Sequence, residues 1–258
     1  MFRLKVLTVL AGCACIACGS HRGSAQTLPP STAIPVVFTH SIQAGQARPG
    51  ERIVAKTSQV VLLPSGRTLP AGTALVGHIV LSEGFAFDAT PYAVQKPSVL
   101  SLHFDTITAN GAELPVNLAV RAIAGPIASH EAEIPHYRDE IDSTGTRVLI
   151  GGSSFSPLES AITAPNGDLT GYHRGQGVFA RLMTAEDVDP NSRIRCDSTD
   201  TEQSTGIFSA DACGVYGLNA VSLTANGADG QGTFVLESSR KSVELYAGSS
   251  ALLQVTER

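Results

Sequence analysis

The stretch SHEAEIPHYRDEID, residues 129–142, crowds His130, Glu131, Glu133, His136, Asp139, Glu140 and Asp142 together. Imidazole with carboxylate is the ligand set of a zinc site and the acid–base set of a hydrolase. The spacing argues against both. Four residues separate Glu131 from His136. A zinc-protease helix needs two there, so that its histidines share a face. Pro135 also interrupts the helix that would carry them. The run reads as a solvated acidic loop, in which His130, Glu131, Glu133 and His136 are the metal candidates. No cofactor is expected.

Nucleophilic chemistry is no better supported. GGSSFS, residues 151–156, supplies Ser153 and Ser154, which with His173 and an aspartate would make a triad. The G-x-S-x-G elbow that exposes a nucleophile is missing, so a Gly/Ser turn is the simpler reading. GYHRGQG, residues 171–177, offers backbone N–H groups to an anion, with His173 and Arg174 assisting. It lacks the Lys–Ser/Thr pair of a phosphate loop and reads as a β-turn. His78 and His103 fall on predicted strands as packed or surface residues. No catalytic motif emerges.

The elements that would position these groups read as strands. The chain of 258 residues has 25 Gly, 14 Pro and no Trp, a profile of turn-rich β structure. LPSGRTLPAGTALVGHIV, residues 63–80, sets two turns close together, at Pro64–Arg67 and Pro70–Thr73, and then runs into a long strand. Such paired corners let a sheet change direction and close. Asn110–Gly111 is a hairpin signal. Before it, Leu100, Leu102, Phe104 and Thr106 share one face while Ser101, His103 and Asp105 share the other. After it, Leu114, Val116, Leu118 and Val120 alternate with Asn117, Ala119 and Arg121, giving a sheet with one wetted side. LYAGSSALLQV near the end echoes LPAGTALVGHI at 69–79, as reuse of a corner. The expected fold is mainly β and antiparallel, a small barrel-like or sandwich core with glycine-turn hairpins and little helix.

Arg3 and Lys5, an apolar stretch from Val6 to Ala17, and Gly23–Ala25 make an export signal with cleavage after Ala25. A lipoprotein signal competes, with lipidation at Cys13 in LAGC or at Cys18 in CIAC. Loss of residues 1–25 leaves 15 basic against 23 acidic side chains, a net −8, which argues against nucleic acid as a partner. It also leaves two cysteines, Cys196 and Cys213, expected to pair as a disulfide in an oxidising compartment. The expected organisation is a signal over 1–25, a disordered leader over 26–33, and a β-barrel-like domain over 34–124. An acidic linker or loop over 125–147 follows. A β-rich segment over 148–258 carries the disulfide loop and sends its final strand back to the barrel.

Residues 34–124 carry PAGTALVG ahead of a long strand, then FD on an apolar strand and the hairpin NGAELPV; YAGSSALLQV closes the chain. In these motifs the sequence resembles the C-terminal barrel domain of the type IV secretion core-complex scaffold, the TrbI-like class. Inner-membrane helix and membrane-inserting hairpin are both missing from it. The resemblance implies a barrel-like interaction domain, not a complete channel subunit. The expected function is that of an exported, non-catalytic cell-envelope protein. It would reside in the periplasm, associated with the outer membrane, or be secreted, and would meet protein partners or copies of itself. Membrane contact would come only through a lipid anchor. The alternative is a secreted hydrolase or metal-binding enzyme using the 130–142 cluster.

Overall fold

The structure is a computed structural model that describes residues 28–256 apart from 64, 89–93, 110, 134–144, 176, 183–198, 200 and 225–231. The chain begins with β1 (Ala33–Phe38), β2 (Ile42–Gln43) and β3 (Arg52–Thr57). β4 (Val61–Leu62) and β5 (Thr68–Leu69) form the first of the two expected turns, with Gly66 at φ 75°. The second, with Gly72 at φ 78°, leads into the long β6 (Ala74–Glu83). A side chain would strain either backbone, so glycine is what makes the paired corners affordable.

β7 (Ala86–Asp88) and β8 (Val94–Lys96) form a hairpin at the end of β6, and β9 (Ser98–Ala109) and β10 (Ala112–Pro115) flank the Asn–Gly turn. β11 (Leu118–Ala124) runs directly into α1 (Pro126–Glu133). The start of the 125–147 segment is therefore helix, where charge and proline had suggested a linker. Pro126 occupies the first helical position, where its fixed φ helps and its missing N–H costs nothing. The Ser129 N–H closes the first turn onto the Gly125 carbonyl at 2.9 Å.

β12 (Arg147–Val148), β13 (Ser154–Phe155), β14 (Ala161–Thr163), β15 (Leu169–Arg174), β16 (Gly177–Arg181) and β17 (Glu202–Gly206) make a six-stranded antiparallel meander. β18 (Gly214–Tyr216), β19 (Ser222–Thr224), β20 (Thr233–Ser238), β21 (Glu244–Leu245) and β22 (Ser250–Val255) complete the chain. The large sheet has the order β18-β11-β22-β1-β3-β6-β9-β20-β19, with β10 hanging from β9. All its pairings are antiparallel except β11 with β18. Its end strands β18 and β19 approach each other, so the sheet curls into a nearly closed barrel. The mainly β, barrel-like expectation is thus met.

The lumen is filled. Phe104 packs between Phe38 and Phe234 with ring centroids 6.1 and 6.2 Å away, and Ile34, Leu75, Ile79, Leu100, Leu102, Ile107 and Leu118 close around them with almost no exposed surface. Each such side chain contributes about 1.5–3 kcal/mol by leaving water. A barrel of this strand number has an interior that side chains alone can fill.

The meander docks on the outside of this barrel through its β17 edge. Gln203 Oε1 accepts the Ala33 N–H at 3.1 Å, and Ser204 Oγ accepts from Leu62 N–H at 2.9 Å while donating to the Val60 carbonyl at 3.0 Å. The segment after β17 then covers the outer face of β11. Phe208 and Ala212 pack on Ala122 and Ala124 there, and Arg121 is completely buried. The alternation in β11 had suggested a wetted face at Arg121. A second layer covers it instead, and the guanidinium is accommodated by donating from Nη2 to the Ala210 carbonyl at 3.0 Å.

Candidate functional site

β6 and β9 bring His78 and His103 directly opposite each other, on the outer wall of the barrel. Their ring centroids are 5.5 Å apart. The register then slips: Gly77 pairs with Phe104 but Val76 pairs with Thr106, so Asp105 is an extra residue without a partner across the strand. Such a bulge bends the strand that carries it. Asp105 keeps the outward face of His103, and its carboxylate reaches towards both imidazoles. His78 Nδ1 lies 2.8 Å from Asp105 Oδ2 and His103 Nε2 lies 3.7 Å from Oδ1. On the far side, Thr233 Oγ1 of β20 is 3.5 Å from His103 Nδ1. The peptide groups of the bulge are not wasted, since the Asp105 carbonyl accepts the Val116 N–H at 3.0 Å.

Carboxylate, imidazole and hydroxyl in line have the order of an acyl-transfer triad. Thr233, however, is only 3% exposed, so its hydroxyl is not offered to a substrate. The outward groups are the His78 and Asp105 side chains, 40% and 43% exposed. An ion pair that exposed is worth about 0–1 kcal/mol. The cluster is a polar, hydrogen-bonding patch on the wall. The sequence placed both histidines on strands as packed or surface residues, with His103 on the polar face beside Asp105; their cross-strand pairing and the bulge at Asp105 carried no local signal.

A second constellation lies on the meander. Direct cross-strand pairing links Arg147, Phe155, Ile162, Gly171, Ala180 and Gln203 in one row, from the outer strand β12 to the strand docked on the barrel. Directly opposed residues share a face. His173 lies two residues beyond Gly171, so it joins that face. Its ring stacks on Phe155 with centroids 4.7 Å apart and planes 7° from parallel, and Arg147 Cζ lies 5.7 Å from the Phe155 centroid. These side chains line a cavity of about 410 Å³ between the meander, α1 and the turn after β3. A broader groove of about 620 Å³ near β2 and β3 mixes His40, Glu51, Arg52 and Glu244 without a common focus.

Burial, and then the neighbouring Arg147 guanidinium, hold the His173 imidazole below its ordinary value of 6.5. For a base held low in the folded state, the unfolded chain takes the proton first. Any stability linked to His173 is therefore fully present above pH 6.5 and declines as pH falls from there through the folded-state midpoint. An NMR titration of the His173 ring is expected to give a midpoint below 6.5; a midpoint at or above that value contradicts the packing described.

The residues singled out in the sequence are scattered. His130, Glu131 and Glu133 lie exposed on α1, whereas His136, Asp139, Glu140 and Asp142 are outside the described residues. Among the described residues no group of three or more His, Cys, Asp or Glu is arranged to hold a metal ion. Ser153 is fully buried, and Ser154 faces Thr163 on the side of the sheet opposite His173. GYHRGQG forms β15, a turn with Gly175 at φ 63°, and the start of β16. Strand alternation sends His173 and Arg174 to opposite faces. Arg174 instead pairs with Glu202 at 3.2 Å and lies over Tyr172, so the two never cradle one anion together. Cys213 is 8% exposed at the barrel, while Cys196, Cys13, Cys18 and Ala25 are outside the described residues. Among the described residues no helix is long and apolar enough to cross a membrane.

The fold defines a class, a side-chain-filled β-barrel with an antiparallel meander inserted between two of its strands. No family model, curated protein or solved structure matches the chain.

Proposed function

We propose that the chain is an exported, non-catalytic protein of the cell envelope that works as a protein-interaction or structural module. The observation that carries this reading is the filled lumen: the described barrel residues pack their apolar side chains into one continuous core, so what the barrel offers other molecules is its outside. The open face of the meander is suited to contact. Val148, Ser154, Thr163 and Leu169 form one row across four strands, with Val148 67% and Leu169 52% exposed. Leu158, in the turn between β13 and β14, is 80% exposed. Apolar groups left in water on a rigid sheet are a common basis of protein contact. The terminal strand β12 also leaves backbone groups for pairing with another chain.

Two further features belong to the same reading. A disulfide between Cys196 and Cys213 closes a loop that stabilises by about 3 kcal/mol in the chain-entropy account. The resemblance of residues 34–124 and the last strand to the TrbI-like barrel suggests an envelope assembly as the setting. A photoreactive amino acid placed at Val148, Leu158 or Leu169 in living cells is expected to yield discrete adducts, either with one partner or with a second copy. The same group at Lys56 on the barrel wall serves as the control and is expected to yield none. Absence of adducts at all three meander positions contradicts the reading. So does stoichiometric metal that is lost in a His130→Ala, His136→Ala double variant, which favours the enzyme alternative. Intact mass tests export: a chain starting at Gln26, or an acylated one starting at Cys13 or Cys18, is expected. A mature chain retaining Met1–Ala25 contradicts export.

A further inference from the structure

The cavity beside α1 has features that protein contact on the open face does not use. Its cation, Arg147, sits on a strand and is held by pairing with β13, so its position is fixed by backbone. Arg147 Nε is buried and has no hydrogen-bond acceptor among the described residues. None of the ion pairs found among those residues engages its guanidinium. A buried donor of this kind costs about 1–3 kcal/mol unless something accepts from it. The floor is Phe155 under the His173 ring; Leu149, Val178 and Ile207 give an apolar stretch of wall, with Ser58 and Glu133 also on the lining.

The back of the cavity is closed by unusually near approach of barrel and meander. A Cβ at Gly177 would fall on the Gln59 side chain, and one at Gly206 would lie 2.8 Å from Pro35 Cβ. Both positions stay open only because they are glycine. The resulting volume of about 410 Å³ is in the range of small-molecule sites, about 300–1,000 Å³.

We propose that this cavity binds a small monocarboxylate with an apolar body, its carboxylate on Arg147 and its body against Leu149, Val178 and Ile207. The guanidinium fork matches a carboxylate with two parallel N–H···O bonds. A single anionic charge fits better than a phosphate dianion, because Arg147 is the one full cation among the described lining residues and Glu133 adds a carboxylate at its rim. The neutral form of His173, favoured by its burial and by Arg147, adds a polar ring edge without a second charge. This site is independent of export and of protein contact, and it stands or falls separately from them.

Calorimetry on the mature chain with benzoate, and with benzamide as its neutral counterpart, tests the proposal. Saturable one-to-one binding of benzoate is expected, with benzamide at least about tenfold weaker. Arg147→Gln is expected to weaken benzoate by a similar factor, Arg147→Lys by less, and Glu133→Gln to tighten it. These opposite signs separate charge recognition from a general loosening of the fold, which would weaken binding in every variant. Should Arg147→Gln fail to fold, Arg147→Lys and Glu133→Gln still decide the matter. Absence of saturable benzoate binding, equal affinity for benzamide, or an unchanged affinity in Glu133→Gln overturns the proposal.

Discussion

Gly77→Ala is expected to destabilise the protein by about 3 kcal/mol, the upper part of the range for overpacking a tight interior. A Cβ at this position would fall on the His103 carbonyl oxygen and lie 2.9 Å from Phe104 Cα, both of them backbone atoms of the paired strand. A flexible side chain could swing away, but a strand held on both sides cannot. β9 is paired to β6 on one side and to β20 on the other, so relief would have to part β6 from β9 beside the bulge. That movement would separate His78 from Asp105 and open the seat of Phe104. Urea denaturation followed by circular dichroism reads the effect as a lower midpoint with little change in slope. A loss below about 0.5 kcal/mol, the scale of ordinary surface substitutions, would mean that the close approach at Gly77 is misplaced.

Arg121→Ala is expected to cost about 3–5 kcal/mol, through a cavity and an orphaned acceptor together. Arg121 is the extra residue of a second bulge, in β11, where Val120 pairs with Leu253 and Ala122 pairs with Leu252. Its side chain has no exposed surface and reaches from the barrel wall to the Ala210 carbonyl in the layer above. Truncation leaves that carbonyl buried without this donor and empties the space between the layers. Arg121→Met fills most of the volume without a charge and is expected to cost distinctly less than Arg121→Ala. Limited proteolysis of Arg121→Ala should open the segment around 207–213 before the barrel itself. Equal stability of the alanine and methionine variants would show that volume plays no part. An unchanged midpoint in Arg121→Ala would show that Arg121 is not enclosed.

These two positions also mark where local reading of the sequence gives out. Strand propensity and turn chemistry were legible: the corners at Gly66 and Gly72 and the hairpin at Gly111 all have glycine at positive φ, at 75°, 78° and 77°. The echo between residues 69–79 and 245–255 has a physical basis, since the same corner is built twice. Gly72 N–H bonds to Thr57 O at the end of β3, and Gly248 N–H bonds to Phe38 O at the end of β1. In each case the following residue bonds back to the carbonyl three before it, Thr73 to Pro70 and Ser249 to Tyr246.

Bulges are less legible because alternation simply inverts across them. Thr106 was expected to share a face with Leu100, Leu102 and Phe104. Past Asp105 the buried residues are Ile107 and Ala109 instead, and Thr106 is only half-buried. Arg121 was read as solvated because nothing near it in sequence announces the second layer, which comes from residues 207–213. The candidate cavity was half visible. His173 drew attention within GYHRGQG, but its working neighbour is Arg147, which lay at the end of the 125–147 stretch read as linker or loop and is instead on a strand. Their meeting depends on strand register across β12 to β15, and register between short strands is fixed by tertiary packing.

One barrel is assembled from both ends of the chain, with β22 seated between β1 and β11 and a lumen packed by side chains from all of them. Native-state hydrogen exchange across a series of denaturant concentrations measures this most directly. Paired amides of β1, β6, β9, β11 and β22 are expected to converge on one opening free energy equal to that of global unfolding, with β12–β16 exchanging through a lower-energy opening. Exchange of β22 through its own low-energy opening, while β1 and β11 stay protected, would contradict the barrel described here.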